Sequence, residues 1–135
     1  MLLCIYKSMK GRFLRQGQVR KVNIEKEMLK GHITLIILAM LSVEDLYGYE
    51  LAKRVKKRTG DAFELKEGTL YLAFKRMEEN RLISSYWGDE SGGGGRRKYY
   101  ALLPEGRAEL ARKKSEWEHL KKIIDILLKE AALNE

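Results

Sequence analysis

Four consecutive glycines, Gly92–Gly95, restrict the fold of this chain more than any other feature of its sequence. The stretch SGGGGRRK could be a flexible linker, a phosphate-binding loop or the tip of a β-hairpin. A phosphate-binding loop needs Ser or Thr after its lysine and a helix behind it, whereas Tyr99 follows the lysine here. A linker is disfavoured because aromatic residues on both sides, Trp87 and Tyr99, favour pairing and packing. The glycines therefore predict a hairpin tip between strands at 83–87 and 98–103.

Three segments before the hairpin have helical patterns. The first, 24–41, is apolar on every face in its second half, which predicts a helix buried on several sides. The second is a short basic amphipathic helix in 47–60, for which Gly60 is a natural stop. The third, in 67–82, has its apolar residues at spacings of three, four and seven, at Leu70, Ala73, Phe74 and Met77. Between the last two segments, residues 62–65 could form a very short strand.

A long helix is predicted after the hairpin, because Pro104 suits a first helical position and the pattern continues to about residue 131. Apolar residues recur along it at positions a and d of a heptad repeat. Such a helix exposes an apolar stripe unless it has a partner, so it predicts a dimerisation helix with contacts at Leu110, Trp117, Leu120, Ile124 and Leu127.

The charge is unevenly distributed along the 135 residues. Residues 1–23 hold six basic and no acidic residues, so six of the eight net positive charges lie there. This segment has no clear periodicity and predicts a basic, disordered extension, or residues upstream of the natural start; the alternative is an arm that adds phosphate contacts. The single cysteine, Cys4, excludes an internal disulfide. No apolar run is long enough for a bilayer, so we expect a cytoplasmic protein.

The order of three compact helices, a hairpin and a long helix is that of a winged helix-turn-helix. We therefore predict a mainly α fold with a two-stranded β-hairpin, with a DNA-binding domain at 24–103 and a dimerisation helix at 104–135. In a helix-turn-helix the later helix lies in the major groove. The hairpin of the winged form, which we call the wing, reaches the flanking DNA backbone or the minor groove.

Four separated motifs strengthen this prediction. YGYEL (47–51), EGTLY with KRME (67–71 and 75–78), RRKYYAL (96–102) and PEGRAEL (104–110) resemble the signature stretches of PadR-type transcriptional regulators, and the resemblance covers about residues 24–130. The single helix after the last motif is similar to that of the short subfamily. The resemblance implies a homodimeric repressor that binds an inverted-repeat operator. It also implies that Trp117 could line a pocket between subunits for a flat aromatic ligand.

Two positions depart from the family pattern. Leu72 stands where family members usually have Pro, and Lys66 stands where a small capping residue often precedes the third helix. Lysine is a poor N-cap, but at this place it could meet a DNA phosphate. The DNA contacts expected from these motifs and from the wing cations are Tyr49, Lys53, Lys66, Thr69, Tyr71, Lys75, Arg96, Arg97 and Lys98.

Two other classes of function compete with DNA binding. A winged-helix adaptor for another protein would not need the cations of the third helix and the wing. A small enzyme is disfavoured because the sequence shows no nucleophile–base set and no Cys/His metal spacing, and no cofactor is expected.

Overall fold

Four helices and three short strands make up the part of the chain that the structure, a computed structural model, describes: residues 26–88 and 95–133. The helices are α1 (Lys26–Leu41), α2 (Gly48–Arg58), α3 (Glu67–Glu79) and α4 (Pro104–Leu133). The strands are β1 (Leu46–Tyr47), β2 (Ile83–Trp87) and β3 (Lys98–Leu102). The glycines of the hairpin tip predict mobility at 90–95, because ordering glycine costs much entropy. The extension 1–23 and most of this tip lie outside the described residues.

The core lies between the first three helices and the sheet. Helix α1 buries Ile33, Ile37, Leu38 and Leu41, and α3 buries the four apolar residues that its spacing predicted. Phe74 of α3 stacks on Tyr100 of β3 with ring centroids 3.9 Å apart. This stack joins the third helix to the sheet, so the orientation of α3 and that of the hairpin are fixed together.

Helix α2 ends where its sequence predicted. Leu51 and Val55 are buried on one face, and the Thr59 hydroxyl donates to the Val55 carbonyl at 2.9 Å. Gly60 and Asp61 then both have positive φ, of 61° and 64°. Glycine tolerates this backbone at little cost, and the reversal leads the chain towards α3.

The sheet has three strands in the order β1-β3-β2, one more than the predicted hairpin. β2 and β3 pair in antiparallel register from Ile83–Leu102 to Trp87–Lys98, as the glycines between them indicated. The additional strand, β1, pairs Leu46 with Tyr100 and Tyr47 with Tyr99 on the other edge of β3.

The structure differs from the sequence predictions at two places, strand β1 and residues 62–65. Two residues are too few to show a period, so β1 was not visible in the sequence. Conversely, residues 62–65 form no strand. Leu65 is buried and Phe63 packs against the core, so this alternation reflects side-chain burial without pairing of the backbone.

Helix α4 begins one residue after β3 and is 30 residues long. Pro104 is its first residue, as predicted. The Leu103 amide donates to the Leu82 carbonyl at 3.0 Å, and most of the helix beyond its first turns is exposed. None of the helices in 26–88 and 95–133 is both long and apolar enough to cross a membrane.

Candidate nucleic-acid interface

The side of α3 that faces away from the core carries the residues predicted to meet DNA. Tyr71 is 44% exposed and Lys75 is exposed, whereas Thr69 is half-buried at the edge of this face. Three further residues share the exposed face: Leu72, Arg76 and Glu79. This face offers a phenol, cations and one large apolar side chain, which are groups that can bind phosphates or base edges, and Glu79 adds one carboxylate at its C-terminal end.

An open cleft of about 580 Å³ lies between α2 and α3. Four of the predicted DNA contacts line it together: Tyr49, Lys53, Lys66 and Tyr71. Lys56 also lines the cleft, although we did not predict it as a contact. Its position three residues after Lys53, on the same side of a helix, was the signal that could have identified it. Glu64 and Glu67 lie at the same cleft and reduce its positive charge.

Tyr71 has a packing role as well as an exposed edge. A Cβ on Gly48 would lie 2.8 Å from the Tyr71 hydroxyl oxygen, so glycine at the start of α2 permits the close approach of the two helices. The Tyr71 ring also meets Phe74 edge to face, with centroids 5.9 Å apart. Tyr71 is thus held in place by contacts within the protein.

Lys66 immediately precedes α3, and its side chain does not cap the helix. It is the N-cap residue, with extended backbone angles, and its side chain makes no capping hydrogen bond. The side chain is exposed at the cleft. Since the helix does not use this ammonium group, it is available at the N-terminal end of α3, where an anion would also be favoured by the helix dipole.

The three predicted wing cations differ in their surroundings. The Arg97 guanidinium lies 4.7 Å from the centre of the Tyr47 ring and donates to the Tyr47 hydroxyl at 3.2 Å. The Lys98 ammonium is 3.9 Å from a Glu78 carboxylate oxygen. Arg96 is exposed, and no described residue pairs with it. Arg97 and Lys98 therefore also attach the wing to the rest of the fold.

A cluster of tyrosines supports the base of the wing. The Tyr86 hydroxyl donates to Asp45 Oδ2 at 2.7 Å, and its ring stacks on Tyr99 with centroids 5.7 Å apart. Tyr99 in turn meets Tyr47 edge to face at 5.4 Å. The hydrogen bond to Asp45, with smaller effects of burial and of the carboxylate charge, raises the pKa of Tyr86 above its ordinary value.

Arg54 is the cation of α2 that is most occupied within the protein. Its guanidinium pairs with the carboxylates of Glu44 and Glu50. Hydrogen bonds to these two groups raise its pKa further above its ordinary value. Arg54 ties α2 to the turn after α1, and we do not assign it to the interface.

A second, smaller pocket, of about 100 Å³, lies between α1 and α4. Trp117 lines it and meets His32 of α1 edge to face, with ring centroids 5.3 Å apart. Trp117 is still 44% exposed. The pocket is thus open to the surface and is not an enclosed cavity.

The residues of α4 predicted to form the dimer contacts are mostly exposed. Leu110 packs against the core, whereas Trp117, Leu120, Ile124 and Leu127 are all exposed. Ile123, Ile126 and Leu128 are exposed as well and widen the apolar surface beyond the predicted a and d positions. Within 26–88 and 95–133, no group of three or more His, Cys, Asp or Glu residues could hold a metal ion.

Comparisons with known proteins agree with this geometry. Residues 37–112 match the model of the transcriptional regulator PadR-like family. The chain is 41% identical to a structurally characterised transcriptional regulator from Clostridium thermocellum, over 74% of this chain and 96% of that one, with a TM-score of 0.68. It is 48% identical to a PadR family transcription regulator from hypervirulent Clostridium difficile, over 72% and 98% of the two chains, with a TM-score of 0.65.

A related sequence is similar to this chain over about the same length. An uncharacterised protein from Lysinibacillus sphaericus is 39% identical over 105 residues, which are 78% of this chain and 95% of that protein. The family and the winged-helix fold expected from the sequence are therefore confirmed. This chain belongs to the PadR-like family of transcriptional regulators, which bind DNA.

Proposed function

We propose that the protein is a homodimeric repressor that binds an inverted-repeat operator. The observation that carries this proposal is the exposed face of α3, on which the side chains of Tyr71 and Lys75 are accessible. The adjoining cleft adds the ammonium groups of Lys53 and Lys66. In a helix-turn-helix this arrangement places α3 in the major groove and the preceding helix across the phosphate backbone.

The wing supplies the second part of the proposed interface. Arg96 is exposed beside Gly95, which has a φ of +76° and open space around its Cα. Cations at the tip of such a hairpin would neutralise phosphates beside the base-reading helix. Arg97 and Lys98 would contribute less freely, because each already has a contact within the protein.

A binding experiment with the DNA upstream of the protein's own gene tests the proposal. We expect Lys75→Ala to weaken binding by about 1–3 kcal/mol, as for a residue that contacts bases. Tyr71→Phe should also weaken binding while its ring still packs against Gly48. Fluorescence anisotropy measures the affinity, and circular dichroism checks that each variant remains folded.

Lys122→Ala is the matched control, since it removes a lysine from α4, away from α3 and the wing. Its affinity should equal that of the wild type. If Lys75→Ala and Lys122→Ala bind equally well, α3 does not read this DNA. A protein that binds neither this DNA nor any other duplex would instead suit the role of a protein–protein adaptor.

We further infer that a small flat aromatic compound binds at Trp117 and releases the operator. The support is the ring pair of Trp117 and His32 beside a pocket that a second subunit could close. In a Trp87→Phe background, Trp117 is the remaining tryptophan. Planar phenolic or cationic compounds should then quench its fluorescence and weaken operator binding, and unchanged signals in both assays contradict this part of the proposal.

A further inference from the structure

Leu72 is exposed in the middle of the α3 face that we propose for the major groove. Its side chain is 67% exposed. The buried residues of α3 are Leu70, Ala73, Phe74 and Met77, and at 100° per residue Leu72 lies about 150° around the helix from their centre. It therefore points away from the core.

The neighbours of Leu72 along the helix leave it accessible. Gly68, four residues earlier, has no side chain, and a Cβ placed there would meet nothing within 4 Å. Helical side chains lean towards the N-terminus, so Leu72 leans over this open space. Lys75 and Arg76, three and four residues later, are exposed on the same face. An apolar side chain thus lies among cations that would approach DNA.

Exposure alone would not identify a function. Single exposed leucines are common on protein surfaces, and leucine is a good helix former. What distinguishes Leu72 is its place beside Tyr71 and Lys75, because a residue there would be pressed against base edges whenever α3 entered the groove. A leucine cannot form hydrogen bonds with those edges. The apolar group that the major groove presents is the C5-methyl of thymine.

We propose that Leu72 is a specificity-determining residue that contacts the C5-methyl group of a thymine in each half-site. This inference rests on the proposed DNA-binding function. Contact between the leucine and the methyl removes apolar surface from water, which favours thymine over a pyrimidine without the methyl by about fourfold for each half-site.

The test compares thymidine with deoxyuridine, which lacks only the C5-methyl group. Duplexes that bind the wild type are first selected from a random library, and one selected sequence becomes the probe. Each thymine is then replaced by deoxyuridine, singly and in symmetric pairs, and affinities are measured by fluorescence anisotropy. The wild type should lose affinity at one symmetric pair of positions, by about fourfold for each methyl removed.

Leu72→Ala should bind the thymine probe more weakly and show no loss on deoxyuridine substitution at that pair. Leu72→Met keeps a long apolar side chain and should retain the discrimination. Val43→Ala is the matched control, since Val43 is 65% exposed but lies outside α3. It should discriminate as the wild type does.

The outcomes separate the two proposals. If the wild type binds its probe but Leu72→Ala loses as much affinity on deoxyuridine substitution as the wild type does, the thymine contact is wrong and DNA binding stands. The thymine contact is also wrong if no thymine position is sensitive to its methyl. If the wild type selects no duplex from the library, both the proposed function and this inference fail.

Discussion

At the scale of single residues, Gly106 shows how a missing side chain determines where an element lies. A Cβ at this position would be 2.1 Å from the Leu82 carbonyl oxygen and 2.6 Å from a Leu102 methyl carbon. Glycine is normally unfavourable within a helix. Here it allows the first turn of α4 to rest on the chain that leads into β2.

We expect Gly106→Ala to lower the free energy of unfolding by about 1–3 kcal/mol, because backbone must move to admit the methyl. Urea denaturation at a fixed protein concentration measures the change. Gly68→Ala is the matched control, since Gly68 is also in the first turn of a helix but has open space around it. Alanine should stabilise that helix, and equal effects at the two positions would contradict the packing role of Gly106.

The hydrogen bond from Tyr86 to Asp45 makes the stability of the fold depend on pH. The raised pKa of Tyr86 means that folding favours its neutral form. The hydrogen bond therefore stabilises the protein fully below the ordinary pKa of tyrosine, and this contribution is lost as the pH rises through the raised value. Asp45→Ala removes the acceptor and should lower the pKa of Tyr86 towards 10.0.

A ¹³C NMR titration of labelled tyrosine rings measures this pKa, with Tyr86→Phe used to assign the resonance. Asp125→Ala, which removes an acid from α4, should leave the titration of Tyr86 unchanged. A Tyr86 titration that is the same in Asp45→Ala and the wild type would show that the hydrogen bond does not form in solution.

The sequence predicted which residues of the site are exposed better than it predicted their partners. The face of α3 follows from a local period of 3.6 residues, so Tyr71 and Lys75 were identified as surface residues from the sequence alone. The contact of Arg97 with Tyr47 joins residues 50 positions apart. It depends on the register of β1 and β3, which no local pattern encodes.

At the scale of elements, long periodic segments were predictable and short ones were not. The hairpin was predicted because a glycine-rich tip and flanking aromatic residues act over neighbouring positions. Strand β1 exists only because Leu46 and Tyr47 meet the free edge of β3. Its formation is decided by tertiary packing, and the same is true of the absence of a strand at 62–65.

The cations of the wing should act on DNA binding through salt-dependent phosphate contacts. Arg96→Ala should weaken binding to all sequences and reduce the slope of log affinity against log salt by about 1, as for one lost phosphate contact. The double variant of Arg96 and Arg97 should reduce it further. Titrations between about 50 and 200 mM salt measure the slopes.

Arg112→Ala serves as the control, since its guanidinium is held by Glu109 and Glu116 on α4. Its slope should equal that of the wild type. A double wing variant with an unaltered salt slope would remove the wing from the interface.

At the scale of the whole molecule, a single chain leaves the apolar surface of α4 exposed to water. Tryptophan, leucine and isoleucine side chains are exposed along the helix from Trp117 onwards. Continuous apolar patches of this kind mark interaction sites. The heptad pattern predicted where this surface lies but not its full width, because Ile123, Ile126 and Leu128 are exposed outside the a and d positions.

We expect Ile124→Glu to weaken the proposed dimer by at least about 3 kcal/mol, because the interface would bury an unpaired carboxylate. Sedimentation velocity measures the association. Lys122→Glu places the same acid on the opposite side of α4 and should remain dimeric. If Ile124→Glu forms a dimer as stable as that of the wild type, the predicted dimer contacts on α4 are wrong.

The junction between β3 and α4 has a consequence for the operator. Leu103 alone separates the two elements, and its amide donates a hydrogen bond to the Leu82 carbonyl. Gly106 allows the first turn of α4 to pack closely against Leu82. This leaves no free length of chain in which α4 could pivot relative to the wing. In a homodimer, the crossing angle of the two α4 helices would then set the distance between the two α3 helices. The number of base pairs between the two half-sites of the operator would thus be determined by residues of α4 and its junction with β3, which do not contact DNA.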